Sequence, residues 1–161
     1  MKTIYALLLS LLTLPALAQH DSYGIIVATL EEEYSTQSVN LSKEAFTLLG
    51  YFDITLKDEV LSLVDGIDRM KIIIHGADDK PGFPSRAAEL FINNNYTEAD
   101  ISKYDQIHGL RLFIDTNLTS IGEAHFVSDK ADGIIISFFG RFKYHDIKKL
   151  LKSANKIGSI Q

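Results

Sequence analysis

The chain contains no cysteine among its 161 residues. Disulfide bonds are therefore excluded, and the apolar core has to stabilise the fold without covalent help. Attachment of a lipid through cysteine is excluded for the same reason. The length suits one domain with a real core and is short for two domains. Hydrophobic residues make up 46% of the chain and charged residues 23%, which is typical of a globular rather than a disordered protein.

Motifs of the common enzyme classes are missing as well. No His-x-x-x-His or Glu-x-x-His pair occurs, so the local zinc signature is absent. Neither Gly-x-Ser-x-Gly nor a glycine-rich phosphate loop is present. The sequence therefore predicts no metal site and no cofactor. The formal charge of −5 at pH 7 also disfavours nucleic acid and anionic membranes as partners.

The first 18 residues have the pattern of a cleavable signal peptide. Lys2 supplies a positive start, and an apolar run follows at residues 4–14. Pro15 ends that run, and Ala-Leu-Ala at 16–18 is a small-x-small cleavage site. The run is shorter than the roughly 20 residues that span a bilayer, so we expect cleavage and no membrane span afterwards. The predicted localisation is exported, either periplasmic or extracellular.

Residues 19–161 predict a single α+β domain, and its most regular part lies near the C-terminus. Three β-rich segments bounded by Asn, Asp, Ser and Gly predict a β-meander, and an amphipathic helix closes it. We predict an antiparallel sheet of about four to six strands with helices packed mainly on one face. The predicted strands are 37–41, 69–75, a weak edge strand at 101–105, 110–115, 122–128 and 133–140; the predicted helices are 23–34, 42–50, 56–64, 85–93 and 144–154.

Strict alternation along the meander gives both faces of the sheet an apolar character. One face is a complete core face, which the helices are expected to cover: Leu110, Leu112, Ile114, Ala124, Phe126, Ile134, Ile136 and Phe138. The other face mixes apolar and polar residues: Arg111, Phe113, Asp115, Glu123, His125, Val127, Ile135, Ser137, Phe139 and Arg141. A purely solvated face should not carry so many aromatic and aliphatic side chains together.

Two explanations remain open for this second face. The N-terminal helix or a loop lies across it, or it binds a protein partner or a second copy of the chain. Under the second explanation the contact surface comprises Phe113, His125, Ile135, Phe139 and Arg141. The predicted function is then that of a soluble, exported, non-enzymatic binding or interaction protein of the bacterial cell envelope.

A rival hypothesis is an envelope hydrolase that uses His75 with Asp78 or Asp79. A loop could fold both carboxylates back on the imidazole and form an acid–base cluster. The same loop, residues 76–84, is also rich in Asp, Gly and Pro, which is the ordinary chemistry of turns.

The chain also resembles a known family. Segments 38–43, 64–72 and 133–140, with the Asp-Ile-Lys-Lys-Leu helix that follows, resemble the family catalogued as domain of unknown function 4252. This resemblance spans nearly all of the chain after residue 18. It implies export from a double-membraned bacterium and one compact domain, with no established activity or catalytic residue. Many members look like lipoproteins, and this chain differs because it has no cysteine to carry the lipid.

The signal-peptide prediction has a direct test. N-terminal sequencing of the protein recovered from the envelope or medium of an expressing bacterium should begin at Gln19, because cleavage is expected after Ala18. Replacing Ala18 by Asp should block cleavage, since the site requires a small residue. Recovery of the wild-type chain with residues 1–18 still attached would contradict the prediction.

Overall fold

A six-stranded sheet is the framework of the structure, a computed structural model that describes residues 21–45, 66–76, 80–102, 109–117, 120–128, 133–149 and 151. Its elements in chain order are α1 (Ser22–Glu33), β1 (Thr36–Ser42), β2 (Ile67–His75), α2 (Phe83–Asn93), β3 (Thr97–Ala99), β4 (Leu110–Asn117), β5 (Ser120–Ser128), β6 (Ile134–Phe142) and a 3₁₀ turn, Tyr144–Asp146. Residues 147–149 and 151 are helical after that turn.

Every neighbouring pair of strands is antiparallel, and the order across the sheet is β1-β2-β6-β5-β4-β3. The last three strands form the predicted meander. The first two strands, β1 and β2, pair with each other. β2 also pairs with β6, so these two strands extend the sheet beyond the meander. The predicted fold class, α+β with an antiparallel sheet and a C-terminal meander followed by a helix, is confirmed.

The predicted edge strand at 101–105 is wrong at its start. The edge strand is β3, whose Thr97 lies opposite Ile114 of β4. After it, the Asp100 side chain accepts hydrogen bonds from the backbone N–H of Ser102 at 2.9 Å and from its hydroxyl at 2.6 Å. Such a local side-chain turn competes with strand pairing, so the extended chain ends before residue 101. Residues 103–105 lie outside the described part of the chain.

α1 begins at a side-chain cap and buries one stripe. The carboxylate of Asp21 accepts a hydrogen bond from the backbone N–H of Gly24 at 3.0 Å, which satisfies one of the free donors at the helix start. Its buried residues recur at the three- and four-residue spacing of a single helix face: Tyr23, Ile26, Val27 and Leu30. The chain becomes extended at Tyr34 and leads into β1.

α2 starts with Pro84 in its first turn, where a missing N–H leaves no hydrogen bond unmade. It ends at Asn93 with Asn94 as its cap residue, and the left-handed backbone of Asn95 (φ 67°) turns the chain out of the helix. The residues that it buries are Phe83, Ala87, Ala88, Leu90 and Phe91.

Both long helices pack on the second face of the sheet, the one that carries Phe113 and Ile135. The expectation that they would cover the Leu112 face is therefore wrong for α1 and α2. The Leu112 face is buried too, and there the described helical residues Ile147 and Leu151 join the cluster. A sheet with apolar residues on both faces has to be covered on both, because exposed apolar area is unfavourable in water.

An ion pair joins the two helices at their exposed side. The guanidinium of Arg86 donates to both carboxylate oxygens of Glu33, at 2.7 and 2.8 Å. Fork-to-fork contacts of this kind fix orientation as well as adding attraction. Both side chains remain partly exposed, so the pair adds little to the stability of the fold. Its main effect is to fix the position of one helix relative to the other.

Two further predicted helices fall mostly outside the described residues. The helix predicted at 42–50 is seen only at its start, where residues 43–45 are helical. The backbone N–H of Ala45 donates to the hydroxyl of Ser42 at 3.3 Å, so Ser42 caps the start of this helix. The helix predicted at 56–64 and the end of the closing helix after residue 151 lie outside the described part.

Irregularities in strand register shift some residues from one face to the other. One shift lies between Ile121 and Glu123, and it places Ile121 in the cluster on the Leu112 face. At the same end of β6, beside the start of β2, the backbone N–H of Arg141 donates to the carbonyl oxygen of Gly66 at 2.8 Å. A Cβ at Gly140 would collide with that carbonyl oxygen.

We expect Gly140→Ala to lower the free energy of unfolding by about 1–3 kcal/mol, because backbone atoms on both strands would have to move apart. Urea denaturation measures the change. Gly122→Ala is the matched control, since the nearest atom to its added Cβ is the Asp115 carboxylate at 4.0 Å. Equal effects of the two substitutions would show that the Gly66 contact is not the constraint.

Candidate functional site

The predicted contact surface is covered by the chain itself. Phe113, His125 and Ile135 are 0% exposed and Phe139 is 5% exposed, whereas Arg141 is exposed. The first of the two explanations, cover by the N-terminal helix, is thus confirmed, with α2 as a second cover. Phe113, His125, Ile135 and Phe139 are therefore not accessible to a partner or a second copy while both helices are in place, and of the five predicted residues Arg141 alone is exposed.

Aromatic rings contribute several contacts between the helices and this face. Phe91 of α2 stacks on Phe113, with ring centroids 5.2 Å apart and planes 10° apart. Tyr23 of α1 meets Phe139 edge-on, with centroids 4.9 Å apart. The guanidinium of Arg69 lies 3.8 Å above the centroid of the Phe139 ring and shields its remaining side.

His125 lies at the centre of this layer, in a cage of four aromatic rings. Tyr23 stacks with the imidazole at 4.8 Å and Phe91 at 4.7 Å, both measured between ring centroids, and these two rings also contact each other at 6.5 Å. Tyr96 and Phe139 meet it edge-on at 4.9 and 5.7 Å. We call Tyr23, Phe91, Tyr96 and Phe139 the aromatic cage.

One carboxylate holds the imidazole in place. Nε2 of His125 lies 3.1 Å from Oε2 of Glu123, and the hydroxyl of Tyr96 donates to the same oxygen at 2.6 Å. An ionised carboxylate only accepts hydrogen bonds, so the proton of the neutral imidazole lies on Nε2. This leaves Nδ1 as an acceptor, and within the described structure no donor reaches it.

The environment shifts the pKa of both partners downwards. Burial lowers the pKa of His125, and the hydrogen bond and charge of Glu123 oppose that change only in part. Burial by itself would raise the pKa of Glu123, but hydrogen bonds from His125 and Tyr96 outweigh it and hold this pKa below its ordinary value. The fold therefore favours a neutral imidazole beside an ionised carboxylate.

Two hydroxyl groups lie in the same layer with His125 Nδ1. Ser137 is the direct neighbour of His125 across the β5–β6 pair, and its hydroxyl is buried. The hydroxyl of Tyr23 is buried too, and burial raises its pKa while the nearby Ser137 lowers it. Neither hydroxyl has a partner with hydrogen-bond geometry among the described residues. Each buried polar group without a hydrogen bond lowers the free energy of unfolding by about 1–3 kcal/mol. A contribution to stability therefore does not explain why these polar atoms lie in the layer.

An acidic cleft opens beside Glu123. Its volume is about 470 Å³, and its lining is polar: Asp21, Ser22, Asn94, Asn95, Tyr96, Asp115 and Glu123. Three carboxylates from α1's cap, β4 and β5 thus face one opening, which gives the cleft a negative potential. Across the described residues, no group of three His, Asp or Glu side chains is arranged to hold a metal ion.

The residues of the hydrolase hypothesis are only partly in view. His75 is 6% exposed, stacks on Phe83 at 4.9 Å and meets Tyr34 edge-on at 5.5 Å. It lines a second cleft of about 700 Å³ together with residues of β1 and the end of α1. Asp78 and Asp79 lie outside the described residues, so their distance from His75 is not defined. Ring packing accounts for the position of His75.

The feature that sequence reasoning missed is the edge of the sheet at β1. All seven of its residues pair with β2 as their one neighbouring strand, and each is exposed or half-buried; Val39 is 46% exposed. The run from Ser35 to Ser42 contains no charged residue or proline, so nothing in its local sequence marks it as an edge. Natural edge strands usually carry such residues to prevent pairing with other chains.

No protein-family model matches the chain, and no curated protein or solved structure matches it. The resemblance to the domain of unknown function 4252 family therefore stays a prediction. Within the part of the chain that the structure describes, no helix is long and apolar enough to cross a membrane.

We expect the stability of the protein to fall between pH 7 and pH 5, and His125 to cause part of that fall. Its pKa is lower in the folded chain than the ordinary value of 6.5, so its contribution is complete above that value and is lost as pH decreases below it. In His125→Phe the slope of unfolding free energy against pH in this window should decrease.

Urea denaturation at several pH values measures the slope. His145→Gln is the control, because it removes an imidazole that is 69% exposed and takes no part in the aromatic cage. The absolute stability of His125→Phe is not the readout, since Glu123 loses one hydrogen bond in that variant. A slope identical to that of the wild-type protein would contradict the assignment.

Proposed function

We propose that this protein is an exported, non-enzymatic interaction protein of the bacterial cell envelope, and that it binds another polypeptide as a strand added at the β1 edge of its sheet. Export is supported by the leader pattern of residues 1–18. The binding mode is supported by one observation above all, which is the contrast between the two edges of the sheet.

The β1 edge is long, neutral and accessible. Its seven residues are Thr, Gln, Ser, Val, Asn, Leu and Ser, and five of them are exposed. An edge strand presents a row of backbone N–H and C=O groups that a further strand can pair with. In strand addition these backbone hydrogen bonds supply the affinity, and the side chains on alternate faces supply the selectivity.

The opposite edge is protected. β3 has only three residues, and its central residue Glu98 is held by Arg111 of the neighbouring strand through two contacts, at 2.7 and 2.8 Å. Short length and charge are two of the devices that keep sheet edges from pairing. Only the β1 edge of the described sheet lacks both.

One face of the β1 edge also offers apolar contact. Val39 lies opposite Ile72 in the register, and Leu41 lies opposite Met70. Leu41 and Ile72 are partly buried against the core on the Leu112 face, so the apolar surface runs without a break from the core to the open edge. An added strand would bury Val39 as well as pair with the backbone, and burial of apolar area favours association.

Site-specific photocrosslinking tests this proposal in the full-length protein in its own cells. A photoreactive phenylalanine analogue in place of Val39 should give a covalent adduct with a polypeptide, because its side chain would lie beside the side chains of the added strand on the same face of the sheet. The same analogue in place of Ile92, which is 50% exposed on α2, is the matched control and should give none.

Two lysines at the edge make the test specific. Ser38→Lys together with Asn40→Lys changes exposed residues on either side of the crosslinker and should abolish the adduct at position 39, since charges on an edge oppose pairing. Absence of any polypeptide adduct at position 39 in the original background, or an adduct that the two lysines do not reduce, would overturn the proposal.

A further inference from the structure

We infer that the strand which β1 binds is β1 of a second copy of this chain, in an antiparallel pair centred on Val39. This inference rests on the proposed function and names the partner at the same edge. It gives a dimer with twofold symmetry, in which the two sheets continue into each other.

The geometry of β1 is suited to pairing with itself. The strand runs from Thr36 to Ser42, so its central residue is Val39, which is also the exposed apolar residue of the strand. A twofold axis through this point puts each residue opposite its counterpart at equal distance from the centre. The pairs between the two copies are Val39 with Val39, Ser38 with Asn40, Gln37 with Leu41, and Thr36 with Ser42.

The absence of charged residues on β1 favours a second copy over an oppositely charged partner. The whole chain carries a formal charge of −5, so two copies repel each other over most of their surfaces. β1 contains no charged residue, and its self-pairing therefore places no like charges opposite each other. A strand selected for an oppositely charged partner would need charge at the edge, and β1 offers none.

The two faces of the edge also match under this symmetry. An axis perpendicular to the sheet keeps equivalent faces of the two copies on the same side. The side with Gln37, Val39 and Leu41 would then be continuous across the dimer and join the apolar surface next to Ile72. On the other side Ser38 and Asn40 of the two copies would meet, so polar residues meet polar residues.

The size of the contact sets the strength that we expect. One strand of seven residues provides less area than the roughly 800 Å² per partner of a standard stable interface. The dimer should therefore be reversible and depend on concentration, not permanent. This is a measurable property that distinguishes it from a dimer built on a buried core.

A charge-swap experiment with the full mature chain tests the inference. The dimers of Val39→Lys and of Val39→Glu should each have a dissociation constant roughly tenfold or more above that of the wild-type dimer. Each substitution places two like charges at the twofold centre. Sedimentation velocity over a range of concentrations measures the change. An equal mixture of the two variants should recover the dimer, since lysine then faces glutamate.

Controls separate this result from unfolding and from general charge effects. Val39 is 46% exposed, so both variants should retain the circular dichroism spectrum and the urea midpoint of the wild-type protein. Ile92→Lys and Ile92→Glu change another exposed apolar residue and should dimerise like the wild-type protein, both alone and mixed.

The outcomes distinguish this inference from the proposed function on which it rests. Recovery of the dimer in the mixture, with a position-39 crosslink of twice the chain mass, supports both. A wild-type monomer at all concentrations, with a position-39 crosslink to a different protein, overturns the second copy as partner and leaves the proposed function standing. Variants that dimerise as well as the wild-type protein overturn the inference by placing the interface elsewhere.

Discussion

The structure depends on burying both faces of β6. Six consecutive residues of this strand, from Ile134 to Phe139, are buried, so neither face can be left to water. The strand accordingly lies inside the sheet, between β2 and β5, and receives cover from both sides. The positions of α1 and α2 on one face, and of Ile147 and Leu151 on the other, follow from this requirement.

Covering the second face brings polar groups into an apolar layer. His125 is fully enclosed by the aromatic cage, and only Glu123 satisfies one of its nitrogens. Glu123 remains ionised in this position because Tyr96 and His125 both donate to it, while the acidic cleft on its other side connects it to solvent. The layer is thus stable as long as the imidazole is neutral. The packing of α1 on the sheet therefore depends on pH.

The two edges of the sheet solve the problem of unpaired backbone groups in different ways. β3 is short and carries an ion pair, which discourages pairing with other chains. β1 is long, uncharged and partly apolar, and in the described structure it has β2 as its only neighbour in the sheet. Because one edge is protected and the other is open, a further strand can be added to the described sheet only on the β1 side. The proposed interaction surface is therefore made mainly of backbone, which explains why motifs of side chains do not reveal it.

Local sequence was sufficient for most elements of the fold. Runs of β-branched and aromatic residues between turn residues predicted β2 and the three strands of the meander, because the period of two is a local property of an extended chain. The edge strand was misplaced, since Asp100 forms a turn with Ser102 where apolar residues suggested an extended segment. Apolar character on both faces of the meander was also visible in the sequence.

What covers each face, however, was decided only by the tertiary structure. Alternation says that Phe113 and Phe139 lie on one side, but the identity of the cover depends on contacts between segments distant in the chain, such as Phe91 with Phe113. For the same reason the sequence predicted a contact surface where the structure has a core, and gave no sign that Thr36–Ser42 is an edge. A strand becomes an edge through the order of strands in space, and that order is not a property of any local stretch of residues.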